Sequence, residues 1–104
     1  MNDPRIDFES AEWRPMANGA RHKVAERAGK RVRLVEFTSE FVERDWCSKG
    51  HAGYVLSGEL EIVLENRVVR LGPGDGLVLG SGGSEKHKAS VIGSSATLLL
   101  VEDV

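Results

Sequence analysis

The run Gly53-Tyr-Val-Leu-Ser-Gly-Glu-Leu-Glu-Ile-Val-Leu64, followed by Val68-Val-Arg-Leu71 and Gly72-Pro-Gly-Asp75, decides the fold. Leu60, Ile62 and Leu64 roughly alternate with Glu59, Glu61 and Glu65, a spacing nearer to two than to the helical value of about 3.6. The first two runs therefore predict a hairpin with one wet face. In the turn that follows, proline presets φ at the second position and Gly74 accepts the positive φ of the third, as a type II turn requires. A further strand, Gly76 to Leu79, must leave that turn.

The same punctuation extends in both directions. Arg31 to Thr38 alternates polar and apolar residues, and Ala20 to Ala25 can pair with it across Gly29-Lys30. Downstream of the loop Gly80-Ser81-Gly82-Gly83-Ser84, two more strands are expected, Lys88 to Ile92 and Ala96 to Glu102, separated by Gly93-Ser94-Ser95. The last of these is apolar on both faces, so it belongs inside the sheet or in an interface. Residues 1–19 read as an N-terminal arm with Trp13 as its anchor, and residues 20–104 as one all-β domain.

Bulk properties exclude several function classes. The chain has 104 residues, is 40% hydrophobic and 29% charged, and its 14 basic and 16 acidic residues are interspersed. Such a surface offers no broad footprint for nucleic acid, and no apolar run is long enough to span a membrane. The N-terminal stretch is too polar for a secretory signal, and a single cysteine, Cys47, fits a reducing compartment. The expectation is a cytoplasmic protein with neither a nucleic-acid nor a membrane partner. Gly80 to Gly83 lacks the lysine and helix of a phosphate loop, which argues against nucleotide binding.

The stretch from His51 to Ile62, with Leu71-Gly-Pro-Gly-Asp-Gly-Leu-Val-Leu79, resembles the centre of a cupin domain. That resemblance implies a single-domain antiparallel jelly-roll β-barrel of the RmlC-like type, commonly a homodimer. Aligned from Gly58, the family's first motif places its glutamate position at His51 and its histidine pair at Asp45 and Cys47. Aligned from Gly74, the second motif places its proline at Gly80, its inner glycine at Gly82 and its histidine at Glu85. The scaffold positions match, whereas the three histidines and one glutamate that hold a divalent metal in the family are replaced.

All four replacements can still donate a lone pair to a first-row metal. Residues two apart on a strand share a face, so Asp45 and Cys47 can both look inward, with His51 meeting them from the next strand. His87, two residues beyond Glu85, is an alternative to it. The expected ligand set is Cys47, His51 and one of Glu85 or His87, a donor mixture suited to zinc, iron or nickel. Trp46 and Tyr54 are candidates for a pocket mouth, His22 reads as surface, and Cys47 with His51 and Lys49 is a weaker candidate nucleophile group. The function implied is the binding of a small organic molecule in the barrel, through the metal if one is held; the alternative is a ligand-binding or sensing module without metal or catalysis.

Overall fold

The computed structural model describes residues 3–82 and 86–104. Among the described residues seven strands make up the fold: β1 (Arg14–Ala17), β2 (Ala20–Arg27), β3 (Lys30–Thr38), β4 (His51–Leu64), β5 (Val68–Leu71), β6 (Gly76–Leu79) and β7 (His87–Asp103). All pairings are antiparallel, in the order β1-β2-β3-β7-β4-β5, with β6 also on β4. This is the expected jelly roll, though its hydrogen-bonded path runs open from β1 to β5 rather than closing into a barrel.

Two long strands organise it. β4 pairs with β7 along nearly its whole length, from Ala52↔Val101 to Leu64↔His87. The other edge of β4 is taken by β6 at its start and β5 at its end. The Pro73-Gly74 turn sits between these two, where Gly74 has φ 91° and the Gly72 N–H donates to Asp75 Oδ2 at 2.8 Å. The two strands expected at residues 88–92 and 96–102 are thus one strand. Gly93-Ser94-Ser95 bends β7 without ending it, because β4 bends beside it.

The bend depends on close backbone approach. Registers shift between Val55 and Ser57 and again between Gly58 and Glu59, and Gly58 takes φ 76°. A Cβ there would lie 2.1 Å from the Ser95 carbonyl oxygen and 2.6 Å from Ala96 Cα. No side chain fits against those backbone atoms, so β4 and β7 can fold together only over a glycine.

Beyond the bend, period-two alternation buries one face of β3, β4 and β7. Val35 and Phe37 of β3, Ala96, Leu98 and Leu100 of β7, and Val55, Leu60 and Ile62 of β4 form the core. Phe41 stacks on Phe37 with ring centroids 4.3 Å apart. The segment assigned to the arm contains β1, and before it Trp13 lies under the Arg21 guanidinium at 4.2 Å, while Lys23 Nζ donates to the Phe8 carbonyl at 2.6 Å.

Replacing Gly58 with alanine should lower unfolding stability by about 3 kcal/mol or more, because a positive φ and a backbone collision act together. A urea-denaturation midpoint shifted by an amount corresponding to less than about 0.5 kcal/mol would show that the bend does not require glycine.

Candidate metal centre and pocket

Because the β4–β7 ladder bends, inward rows that start apolar beside the bend finish at polar residues away from it. On β7 the row Ala96, Leu98, Leu100 ends at Glu102, and toward its other end Val91 and Ala89 lead to His87. On β3, Phe37 and Val35 lead to Arg33; on β4, Val55 and Gly53 lead to His51. These ends meet across the fold, and the His51 and His87 rings lie 5.6 Å apart, edge to face.

Cys47 joins them through the backbone. It forms a bridge with His87 in which Cys47 N–H donates to the His87 carbonyl and His87 N–H to the Cys47 carbonyl, both at 2.9 Å. Residues that exchange both bonds sit opposite each other and share a face of the pleat. Cys47, His51 and His87 each offer a ligand atom within 4.8 Å of the others. His87 is buried, and its Nδ1 has no hydrogen-bond partner among the described residues. A buried imidazole nitrogen left unpaired beside a thiol and a second imidazole fits a metal-ligand role.

A second layer of charge supports His51. Glu102 Oε2 lies against His51 Nδ1 at 2.5 Å, which leaves Nε2 as the ring nitrogen that can face a ligand. Glu102 is itself held by Arg33 in a fork, with Nε 2.9 Å from Oε1 and Nη2 donating to Oε2 at 3.0 Å. Its side chain is only 1% exposed, and that of Arg33 11%. Burial alone would raise the Glu102 carboxyl, but the Arg33 guanidinium, assisted by His51 and Lys49, outweighs burial and holds it below 4.5. Burial lowers His51 from 6.5, with Arg33 and His87 adding to the effect and Glu102 opposing it. Burial thus favours the neutral imidazole, the form that can ligate.

These side chains border a cavity of about 390 Å³ that is open to solvent and lined mainly by aliphatic and aromatic residues. Arg31, Lys49, Glu43 and His22 also reach it. Glu43 Oε1 accepts the Ala89 N–H at 2.8 Å, and burial raises its carboxyl above 4.5. His22 Nδ1 lies 3.3 Å from Arg33 Nη1, so the residue expected at the surface is half-buried on the cavity wall. It was misassigned because Arg21 and Lys23 point to the outer face while His22, between them, points in.

Of the four positions aligned with the family's ligands, Cys47 and His51 enter the cluster. Asp45 is exposed and stays out of it, because the irregular segment between β3 and β4 does not keep the strict alternation that would turn residues 45 and 47 the same way. Glu85 lies outside the described residues. His87, the alternative to it, is present. Trp46 and Tyr54 are exposed and do not line the cavity; Trp46 instead packs under Lys88, 4.7 Å from the ring centroid. Glu102, Arg33 and Glu43 were missed. Counting inward by twos from Ala96 and from Phe37 would have found the first two.

Glu102→Gln should cost about 3–5 kcal/mol at neutral pH, because it leaves Arg33 buried beside an uncharged amide. The folded carboxyl titrates below 4.5, so its contribution is complete above that pH and is lost as the pH falls. The gap between wild type and variant in denaturant titrations should therefore narrow on acidification; a gap independent of pH from 7 down to about 3 would exclude the charge as its source.

No family model matches the chain, and no curated protein matches it in sequence. Solved structures do match in shape. KdgF from Halomonas sp. is 23% identical, with a TM-score of 0.73 over 89% of this chain and 87% of that one. The polyketide cyclase RemF from Streptomyces resistomycificus is 19% identical, with a TM-score of 0.79 over 98% of this chain and 80% of its own. An RmlC-like cupin from Shewanella frigidimarina is 13% identical, with a TM-score of 0.75 over 98% and 91%. With its two long strands bent over Gly58 and its cavity edged by their far ends, the chain has the fold of a small cupin.

Proposed function

We propose that this protein binds a small organic molecule in the apolar cavity, beside a divalent transition metal held by Cys47, His51 and His87. The observation that carries this reading is the convergence of three soft or borderline donors, one of them a buried and unpaired imidazole, at the edge of a cavity large enough for a ligand. A thiolate with two imidazoles suits zinc, iron or nickel and not magnesium or calcium, which take oxygen shells. Glu85 remains the other sequence candidate. Three protein ligands leave a coordination position for substrate or water, in contrast to a closed structural site.

Bound there, the metal would act as a Lewis acid toward an oxygen of the bound molecule. The protein's own residues do the rest. Glu102 fixes the His51 tautomer and ring plane, and Arg33 keeps Glu102 ionised. Glu43, whose burial favours its protonated form, is placed to exchange a proton with a ligand in the cavity.

Protein purified without chelator or a nickel column should contain about one equivalent of transition metal by elemental analysis. Cys47→Ser and His87→Ala should each lower metal affinity by about 10-fold or more, and Glu102→Gln by a comparable or smaller factor. Metal-free protein that gains none on dialysis against zinc, or full retention in both ligand variants, would overturn the metal reading.

We further infer that the outer face of the sheet pairs two copies of the chain. Cross-strand register aligns Ala25, Val32, Val101, Ala52 and Val78 in one row over five strands, with Tyr54 and Leu99 paired in the next. Val78 is 83% exposed and Tyr54 49%. Light scattering should give a dimer mass, and Val78→Lys should shift it toward monomer; a wild-type monomer at micromolar concentration would overturn this.

A further inference from the structure

The cavity also restricts what the ligand can be. Beside the bend its wall is made by the Phe37–Phe41 stack with Leu60, Ile62, Leu98 and Leu100, and these side chains carry no hydrogen-bonding atom. Protein interiors are close-packed, and a chain of this size has no packing reason to leave a space of about 390 Å³ between such walls. A molecule that fills it must be apolar over the part that touches them, since a buried hydroxyl with no partner is strongly disfavoured.

The polar groups that do reach the cavity are mostly engaged: Arg31 is paired with Glu26 at 3.2 Å and Lys49 with Glu102 at 3.9 Å. The Arg33 fork is closed on Glu102, and the remaining Arg33 nitrogen faces His22 Nδ1. One Glu43 oxygen accepts the Ala89 N–H. Free ligating capacity is concentrated in Cys47, His51 and His87, at the end away from the bend. A bound molecule therefore meets the metal-ligating groups at one end, and along its body only the second Glu43 oxygen beside Ala89.

From this asymmetry we infer that the ligand is a compact hydrocarbon-rich molecule, aromatic or alicyclic, with a single oxygen-bearing head, and that sugars and sugar acids are excluded. The inference rests on the reading of the cavity as a ligand site. The head lies against Cys47, His51 and His87. The ring system lies against the phenylalanine stack and the four aliphatic side chains. A volume near the lower end of the range for small-molecule pockets limits the body to one or two fused rings.

Calorimetric titration of the protein as purified tests this with two carboxylates of similar size, 1-hydroxy-2-naphthoate and D-glucuronate. The naphthoate should bind at least about 100-fold more tightly, with a negative heat-capacity change, because each sugar hydroxyl would be buried unpaired. Ile62→Thr, which places a hydroxyl in the wall, should weaken the naphthoate about 5-fold or more while circular dichroism confirms the fold. Equal affinities, or tighter binding of glucuronate, would overturn the inferred class and leave the ligand site itself standing. Binding of neither compound would overturn both. Unaltered naphthoate affinity in metal-stripped protein, with the same preference over glucuronate, would uphold the apolar class and show that the metal does not hold the head.

Discussion

The approach of Gly58 to the backbone of Ser95 and Ala96 is the constraint on which the rest of this structure depends. A straight β4–β7 ladder would place His51 and Leu64, or His87 and Glu102, at opposite ends of a sheet. Folding the ladder brings those ends face to face and turns one amphipathic sheet into two walls around a cavity. Hydrophobic burial drives the collapse, but it does not choose where the chain may bend. Only a residue without a Cβ allows two backbones to pass this closely, and the polar rim of the pocket follows from that one steric allowance.

Electrostatics then refine what sterics place. Arg33, Glu102 and His51 form a chain in which each member sets the state of the next: the guanidinium keeps the carboxylate charged, and the carboxylate orients the imidazole. Such a chain is costly to bury, and a hydrophobic replacement of equal volume would serve stability as well or better. Its presence beside a cavity is better understood as preparation of His51 than as a contribution to folding.

Much of this was legible in the sequence, and the parts that were not have physical reasons. The hairpins, the Pro73-Gly74 turn and the pairing of residues 20–25 with 31–38 followed from local alternation and turn chemistry, which the fold respects. The continuity of β7 did not, because Gly93-Ser94-Ser95 reads as a loop when the partner strand that carries it through the bend is unseen. At the site, the resemblance to the cupin motifs pointed to Cys47 and His51, with His87 an alternative to Glu85, and the structure brings these three close together. Glu102 and Arg33 were hidden for opposite reasons. Glu102 follows a run apolar on both faces, where alternation vanishes, while Arg33 stands between Val32 and Leu34 and so reads as the solvent-facing phase of the strand until its burial in one row with Val35 and Phe37 is known.

The pairing pattern also determines when the pocket comes into being. Arg33 and Glu102 are 69 residues apart in the chain, and β3 zips onto β7 from Lys30↔Asp103 to Thr38↔Ser95. Contacts of such long range form late, since the entropy of closing a large loop is lost before any of them is gained. The charge pair that steadies His51 thus depends on the closing of nearly the whole domain, so its formation is tied to that of the globule.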